Sequence, residues 1–352
     1  MSFADGWAAM NLEMPARVPR TEYSAESHWP LLSRVLGRPV DEHSPVEVRR
    51  QASRDFIARW NYDFSWSVCT NSSELEAKRT RMGHAVYAAG GVDRDNRVEC
   101  PFTSPQEVLD LDPWAVYGPR DHATLVQQYE DHYHANCARN PGCVNMTGIY
   151  ITLISGLIDI CGWDMLLLAA GEDQRAFGAM TDRYATWIQQ HFNALAEARV
   201  PTVMIHDDMV WTSGAFIRPA WYREFVFPNY RRLIRPLIDS GKKVTYTADG
   251  TYTAFIDDLV ACGFHGLVME PTTDMALIAE RYGKTHYFIG NADTRILLSG
   301  TRVQIRAEVE RCMAIGKQCP GFFLAVGNHI PANTPVDNAL YYNEVYEELS
   351  RR

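Results

Sequence analysis

The sequence lacks several features that would assign it quickly to a class of protein. It has no GxGxxG turn of the kind that binds a dinucleotide, no CxxC pair and no internal repeat. Acidic residues outnumber basic ones, with 43 Asp and Glu and 34 Lys and Arg, so the formal net charge is −9. This balance argues against a protein that binds nucleic acid by neutralising phosphates.

No hydrophobic run is both long enough and free enough of charge to predict a membrane span. The most apolar stretch, residues 147–171, is interrupted by Asp159 and Asp164 and by glycines, and charges are costly inside a bilayer. We therefore expect a buried strand followed by a helix. The N-terminus has no basic region and carries Asp5 and Glu13, so we expect no secretory signal and a cytoplasmic protein.

Cysteine forms neither a disulfide framework nor a metal-ligand motif. Without a signal peptide, we expect the cysteines to be reduced thiols. His132 and His134 lie near two of them, but a spacing of two puts the imidazoles on different faces of a helix, so we expect no metal site there. The eight cysteines are at positions 69, 100, 137, 143, 161, 262, 312 and 319.

Short apolar runs alternate with longer amphipathic segments in the second half of the chain. Three of the amphipathic segments end on a Gly after an apolar residue, as helices often do. Strand and helix in this rhythm predict a parallel sheet. The apolar runs are TVMIHD (202–207), KVTYTAD (243–249), HGLVME (265–270), HYFIGNAD (286–293) and GFFLAVGN (321–328).

The first half offers three further candidate strands, at residues 18–24, 62–69 and 144–152. Eight strands with intervening helices predict an α/β fold, a (β/α)₈ TIM barrel with an N-terminal helical extension, as one domain over residues 1–352. Residues 81–102 predict a hairpin insertion with its turn near Asp93–Asn96. The competing architecture is a doubly wound open sheet, which usually shows a GxGxxG turn after its first strand.

In such a barrel the carboxyl ends of the strands meet at one rim, where TIM-barrel active sites lie. Asp, Asn and Thr there can also be helix caps, as Asp293 before TRILLSG can be, and Asp249 precedes a turn-forming Gly. The adjacent pair Asp207–Asp208 predicts more than a cap, because one cap needs only one carboxylate. The polar residues at the last five strand ends are His206, Asp207, Asp208, Thr247, Asp249, Glu270, Asn291, Asp293, Asn328 and His329.

Five segments of the chain carry a family resemblance. They are DDMVWTSGAFIRPAWYREFVFPNYRRLI, KKVTYTADG, GFHGLVMEP, YFIGNADTRILLSGT and GNHIPANTP. They resemble the uroporphyrinogen decarboxylase superfamily, which includes the cobalamin-dependent methyltransferases, and the resemblance extends from about Pro15 to the C-terminus. It implies a TIM barrel and is closer to the methyltransferase branch.

The decarboxylase branch carries an Arg-Gln-Ala-Gly-Arg segment whose arginines hold the carboxylates of a tetrapyrrole. The corresponding stretch here, PARVPRTEYS, has Arg17 and Arg20 but not that motif. A substrate with many carboxylates needs converging guanidinium groups, whereas the predicted rim is acidic. We therefore do not expect decarboxylation of a porphyrin precursor.

The methyltransferase branch often binds zinc through an HxC motif and a distant Cys. Here the HxC position reads Thr247–Ala248–Asp249, and the distant Cys position falls at about Asn328. The zinc expectation is therefore uncertain, because both thiolates are absent. A harder nitrogen and oxygen site is the alternative, with His206, Asp249 and His329, or Asp208, as ligands.

The resemblance implies a corrinoid-dependent methyltransferase of the demethylating type. It would move a methyl group from a small methylated substrate, such as an aryl methyl ether or a methylamine, to a corrinoid on a partner protein or to tetrahydrofolate. Neighbouring carboxylates resist double ionisation. We therefore expect Asp207 or Asp208 to protonate the departing atom. Asp249 and His329 are the further catalytic residues.

The remaining rim residues are expected to bind the substrate. Trp211 either packs against its neighbours or lines an aromatic slot. The expected substrate-binding residues are His206, Trp211, Thr247, Glu270, Asn291, Asp293 and Asn328. A homodimer is common among similar proteins, and we expect no nucleic-acid or membrane partner.

Two other functions remain open. The first is a lyase acting on a small acidic substrate, for which Arg17, Arg20, Arg218 and Arg295 are the available basic residues. The second is a ligand-binding relative that kept the barrel and lost the chemistry, which the Thr247–Asp249 replacement favours.

Overall fold

The strands are short in the computed structural model, which describes residues 2–81, 86–88, 91–93 and 99–352. In chain order they are β1 (Phe64–Ser65), β2 (Val86–Ala88), β3 (Gly91–Asp93), β4 (Val144–Asn145), β5 (Thr147–Ile149), β6 (Thr202–His206), β7 (Val210–Trp211), β8 (Gly214–Ala215), β9 (Lys243–Thr247), β10 (Gly266–Val268), β11 (Tyr287–Ile289) and β12 (Phe322–Phe323). Six of them form one parallel sheet in the order β12-β11-β10-β9-β6-β5, and β1 pairs with β4 in parallel.

Helices follow most of the strands. They are α1 (Phe3–Met10), α2 (Trp29–Leu36), α3 (Val46–Arg59), α4 (Pro105–Leu109), α5 (Pro113–Tyr117), α6 (His122–Arg139), α7 (Ile154–Glu172), α8 (Gln174–Glu197), α9 (Pro219–Trp221), α10 (Phe227–Asp239), α11 (Ile256–Cys262), α12 (Met275–Tyr282), α13 (Thr294–Ser299), α14 (Arg302–Gly316) and α15 (Val336–Leu349). Local capping fixes several starts. Asp173 caps α8, and Thr301 with Gln304 forms a capping box on α14.

Residues 18–24 close the sheet into a barrel. On one side Arg20 forms a parallel bridge with Leu324, just after β12. On the other side the Asp63 amide, just before β1, donates to the Arg20 carbonyl at 2.9 Å. The eight predicted strand segments therefore form a ring in chain order, and the predicted (β/α)₈ barrel is confirmed.

The Asp63 carboxylate holds this closure together. It accepts the Arg20 amide at 3.0 Å, the Ser2 amide at 2.8 Å and the Arg17 guanidinium at 2.5 Å. The Arg20 guanidinium is fully buried and pairs with Glu22 at 2.5 Å. Both N-terminal arginines are thus used by the fold rather than presented at the rim.

Apolar side chains from the strands fill the lumen, and the predicted N-terminal helix α1 covers one end of it. The lumen residues are Ala9, Met10, Phe64, Val144, Met146, Met204, Val268, Tyr287, Ile289, Phe323 and Ala325. A Cβ on Gly6 of α1 would lie 2.4 Å from the Asp63 carbonyl oxygen, at the amino end of β1. Because α1 closes the amino ends of the strands, the open mouth lies at their carboxyl ends.

The predicted strand and helix over residues 147–171 are confirmed as β5 and α7. Among the described residues, α7 alone is long and apolar enough to cross a membrane, and 61% of its most apolar window is buried inside the protein. The helix bends at Gly162, which has a φ of 75°. The apolar stretch therefore packs in the core of the barrel.

The hairpin predicted within residues 81–102 is confirmed, because β2 and β3 pair antiparallel. Its predicted turn near Asp93–Asn96 is wrong. Ala88 pairs with Gly91, and Asp93 lies in β3 opposite Val86 rather than in a turn. The chain supplies a glycine pair at residues 90–91, and Gly-Gly is one of the pairs that favour tight hairpin turns. Residues 89–90 and 94–98 lie outside the described residues.

Asp63→Ala should lower the free energy of unfolding by roughly 3 kcal/mol, because it leaves a buried amide and a guanidinium without their acceptor. Urea denaturation followed by circular dichroism measures this change. Asp5→Ala is the matched control, because Asp5 meets Arg17 at 3.7 Å with its side chain 30% exposed, and such pairs contribute little. Equal losses in the two variants would contradict the closing role of Asp63.

Candidate active site

Asp207 is buried beneath the rim and joins three elements. Its carboxylate accepts the backbone amides of Leu153 at 3.1 Å and Ser155 at 2.7 Å, and the Tyr230 hydroxyl of α10. Leu153 directly precedes α7, so Asp207 caps that helix from the end of β6. Burial raises the pKa of Asp207, and its hydrogen bonds oppose the shift. This arrangement fits an anchoring role.

Asp208 lies at the open mouth with His206 and Asp249. The His206 Nε2 is 3.2 Å from the Asp208 Oδ1, and the same oxygen accepts the Asp249 amide at 2.9 Å. The three side chains each offer a nitrogen or oxygen atom, and these atoms lie within 4.8 Å of one another. The strands explain the convergence, because His206 at the end of β6 pairs with Thr247 at the end of β9. We call these three residues the acid cluster.

The acid cluster holds its protons tightly. Burial raises the pKa of Asp208 to about 7, and the negative charges of Asp207 and Glu270 add to the shift. Burial together with Asp208 and Glu270 also raises the pKa of Asp249 to about 7. Water at the exposed edge of Asp249 screens these charges more than at Asp208, whose side chain is 26% exposed. Burial lowers the pKa of His206, so a neutral imidazole lies beside carboxyl groups that keep their protons to a higher pH than a free Asp does.

Glu270 and Asn328 extend the acid cluster along the rim. Asn328 Nδ2 donates to Glu270 Oε1 at 2.5 Å and lies 3.4 Å from Asp249 Oδ1. The other Glu270 oxygen accepts the Gly250 amide at 2.7 Å. A groove of about 230 Å³ shares Glu270 and Asn328 with this region and is also lined by His329. The His329 Nδ1 is hydrogen-bonded to the Ser24 hydroxyl.

Two other predicted site residues are engaged by the fold. The Asn291 side chain donates to the carbonyls of Glu270 and Thr273 at 3.3 and 3.2 Å and accepts from Arg311 at 3.0 Å. Asp293 caps α13 and pairs with Arg295 at 2.6 Å. Burial alone would raise the pKa of Asp293, but the hydrogen bonds from Arg295 lower it. Asn291 therefore holds neighbouring backbone in position, and Asp293 caps α13.

Trp211 and Thr247 take different places at the mouth. Trp211 is 42% exposed and packs against Trp163 and Phe216, at ring-centroid distances of 5.9 and 5.5 Å. Thr247 is buried, and its hydroxyl has no hydrogen-bond partner among the described residues. Strand alternation puts it on the same face as Thr245, whose hydroxyl bonds the lumen residue Tyr287 at 2.6 Å. The Thr247 hydroxyl therefore points into the lumen beside His206.

An aromatic wall packs against the lumen residues, and the sequence-based prediction missed it. It consists of Tyr23, Trp66 and Tyr150. Tyr23 stacks on Trp66 at a centroid distance of 4.4 Å, and Tyr150 stacks on His206 at 3.9 Å. Burial raises the pKa of Tyr23, and the charges of Tyr150 and Asp249 add to the shift.

A signal for the aromatic wall was present in the sequence. Tyr23, Trp66 and Tyr150 lie near the carboxyl ends of the first three predicted strands, whereas the predicted site drew on the ends of the last five. Ser155 was also missed. Its hydroxyl accepts the Asp208 amide at 2.8 Å and lies 3.5 Å from His206 Nδ1. It lies in the first turn of a helix, where small polar residues are common, so nothing in the sequence singles it out.

Comparison with known families identifies the chain. The sequence profile described as uroporphyrinogen decarboxylase (URO-D) matches residues 151–349, more than half of the chain. The chain belongs to the URO-D family. This confirms the predicted superfamily, and the match covers β6, β9, β10, β11 and β12 together with the acid cluster.

Curated relatives of the URO-D family match part of the chain. The uroporphyrinogen decarboxylase of Pelobacter propionicus is 25% identical over 175 residues, 50% of each protein. One from Thermus thermophilus is 29% identical over 161 residues, 46% of this chain and 45% of that protein. The chain thus spans about half the length of the curated relatives it matches.

A solved structure shares the fold over nearly its whole length. A methyltransferase from Methanosarcina mazei superposes with a TM-score of 0.61 and 17% identity, covering 97% of this chain and 96% of that one. At this identity the likeness shows the fold alone, and it supports the URO-D barrel.

The acid cluster does not provide the thiolates expected of a zinc-binding member of the methyltransferase branch. None of the eight cysteines belongs to the group formed by His206, Asp208 and Asp249. Imidazole and carboxylate donors suit harder divalent cations better than they suit a thiolate-type zinc site. His329, the third ligand considered from the sequence, lies outside this group of potential ligands.

Asp208→Asn should stabilise the protein above pH 7. The pKa of Asp208 in the folded protein is about 7, above the ordinary value for Asp of about 3.9. The wild type therefore loses stability as the pH rises from about 4 to about 7. Asn cannot ionise. Thermal unfolding at pH 5 and pH 8 should show a variant advantage of roughly 1 kcal/mol at pH 8 that shrinks at pH 5. Asp274→Asn, at a helix cap on the same rim, should show no such growth, and an equal slope in both variants would contradict the assignment.

Asp249→Cys should raise zinc affinity by about tenfold or more, because it restores a soft thiolate beside His206. Competition against a chromophoric zinc chelator measures the dissociation constant. The double variant His206→Ala with Asp249→Cys should lose the gain. Unchanged affinity in the single variant would show that Asp249 does not occupy the position of the family's zinc thiolate.

Proposed function

We propose that this protein is a methyltransferase of the demethylating type. It transfers a methyl group from a small methylated substrate to a corrinoid carried by a partner protein, and the acid cluster activates the leaving atom. The observation that carries this proposal is the convergence of His206, Asp208 and Asp249 at the open mouth of the barrel.

Asp208 is the proton donor of the proposed reaction, rather than Asp207. Asp207 is fully buried and engaged by three donors, whereas Asp208 is partly open to the mouth. The bond between the methyl carbon and the substrate's oxygen or nitrogen breaks, and its electron pair stays on that atom. Protonation of that atom by Asp208 makes it a better leaving group. The corrinoid supplies the nucleophile that accepts the methyl group.

The chain's other residues hold Asp208 in place and leave the site accessible. Ser155 accepts its amide, and its carboxylate is shared between His206 and the Asp249 amide. Asp249 and Trp211 are exposed at the same mouth. A methyl acceptor on a second protein can therefore approach from outside the barrel.

A lyase acting on a small acidic substrate is the second candidate, and the names of the decarboxylase relatives favour it. Three of the four basic residues considered for it are engaged within the fold, whereas Arg218 is exposed just before α9. Arg17 and Arg20 are tied to Asp63 and Glu22, and Arg295 is tied to Asp293. Carboxylate substrates would instead meet the negative charges of the acid cluster.

Asp208→Asn should lower the rate of methyl transfer about 100-fold, because general acid catalysis contributes on that scale. The wild-type rate should be highest below about pH 7 and fall above it, following the Asp208 pKa of about 7, and the variant should lose this dependence. Chemically reduced cobalamin is the acceptor in the assay, and its change in absorbance is followed with methyl ethers and methylamines as donors.

Asp274→Asn is the matched control and should retain the wild-type rate and pH profile, because it lies outside the acid cluster. Wild-type turnover in Asp208→Asn would remove this acid from the mechanism. Release of carbon dioxide from a small acid, without methyl transfer from any donor, would favour the lyase.

A further inference from the structure

Two cysteines that are distant in sequence meet at the bend of α7. The Cys100 thiol donates a hydrogen bond to the Cys161 carbonyl at 3.1 Å. Gly162, the next residue, has a φ of 75° and a ψ of 163° and so leaves helical geometry. The Cys161 carbonyl therefore ends the first half of the helix, where carbonyls lack intrahelical partners. The Cys100 thiol occupies this place and brings the two residues together.

The two thiols differ in their access to solvent. All eight cysteines belong to the described residues, and Cys100 alone among them is exposed. Cys161 is 1% exposed, and its thiol donates to the Leu157 carbonyl at 2.9 Å. Burial raises the pKa of the Cys161 thiol, and the charge of Cys100 adds to the shift. A dissolved oxidant therefore reacts with Cys100 before Cys161, because reactivity follows exposure and thiolate character.

The distance between the two residues suits a disulfide. Bond lengths put a carbonyl oxygen about 2.4 Å from its own α carbon, so Cys100 Sγ lies at most roughly 5.5 Å from the Cys161 α carbon. Cysteines joined by a disulfide usually have α carbons about 4.4–6.8 Å apart. The bond needs the Cys161 side chain to rotate away from the Leu157 carbonyl, which gives up one weak hydrogen bond.

We propose that Cys100 and Cys161 form a reversible disulfide when the protein meets a hydroperoxide. Cys100 is the thiol that the peroxide oxidises, and Cys161 is the thiol that resolves the product. An accessible cysteine beside a second thiol is the usual arrangement in proteins that respond to oxidants. This modification site is separate from the proposed methyl transfer, because neither cysteine belongs to the acid cluster.

Both steps of this chemistry balance. The Cys100 sulfur attacks one oxygen of the hydroperoxide, the S–O bond forms as the O–O bond breaks, and water or an alcohol leaves with the thiol proton. Cys100 is then a sulfenic acid, and the peroxide is reduced by two electrons. The Cys161 thiolate attacks the Cys100 sulfur, and the S–S bond forms as the S–O bond breaks. The hydroxyl leaves as water with the Cys161 proton. Proximity offsets the reluctance of Cys161 to ionise.

The disulfide would act on the helix that supports the acid cluster. The amide and hydroxyl of Thr80 donate to the Asp159 carbonyl of α7 at 2.9 and 2.8 Å. The chain between Thr80 and Cys100 thus begins and ends against neighbouring carbonyls of this helix. The first turn of the same half of α7 carries Ser155, which accepts the Asp208 amide. Oxidation replaces one weak thiol hydrogen bond at this helix by a covalent bond.

The test treats the reduced protein with a few equivalents of hydrogen peroxide, blocks the remaining thiols with N-ethylmaleimide and maps its peptides by mass spectrometry without reduction. We expect a peptide pair that joins Cys100 to Cys161 and disappears after dithiothreitol. Dimedone, which traps sulfenic acids, should label Cys100 about tenfold more in Cys161→Ala than in the wild type, because no neighbouring thiol then consumes the intermediate.

Cys319→Ser is the matched control, because Cys319 is half-buried and its thiol lies 3.9 Å from a carbonyl, that of Ala279. It should form the same linked pair as the wild type, whereas Cys100→Ser should form none and leave Cys161 unlabelled by dimedone. Circular dichroism shows whether Cys161→Ala is folded, and the wild-type peptide map decides the question without that variant. A link from Cys100 to another cysteine, equal labelling of Cys100 in wild type and Cys161→Ala, or no reaction of Cys100 overturns the proposal.

Discussion

The buried carboxylate of Asp207 fixes the geometry on which the rest of the site depends. It ties the end of β6 to the first turn of α7 and to Tyr230 of α10. This bond holds Ser155 beneath the next residue, Asp208, and Ser155 in turn accepts the Asp208 amide. A buried carboxylate that accepts three hydrogen bonds is costly to move, so Asp207 holds the neighbouring acid cluster in a fixed position.

The barrel forces like charges together at its mouth, and this sets what the site can bind. Parallel strands deliver Asp208, Asp249 and Glu270 to one small region where burial disfavours ionisation. Protons or a positively charged molecule must therefore offset the charge. The general-acid role of Asp208 uses this excess of carboxylate, because a protonated acid relieves it.

The strand ends were largely readable from the sequence because parallel β/α units have a strong periodicity. All eight predicted segments form the barrel, and the later five bring His206, Asp249 and Asn328 to one rim. The family was readable too, since the segments that resemble it lie on those strands. The turn of the hairpin was misplaced, because the glycine pair at residues 90–91 and the Asp–Asn sequence after it are both turn signals and local preference alone does not choose between them.

The sequence by itself determined the fold, the family and the acidic character of the mouth, because these follow from periodicity and from residue types at strand ends. Only the tertiary structure separated Asp207 from Asp208, since alternate residues leave a strand on opposite faces and one side faces helices while the other faces the lumen. It alone assigned Arg17 and Arg20 to barrel closure. It also paired Tyr23 with His329, distant in sequence, because contact between the first and last strands arises only when the ring closes.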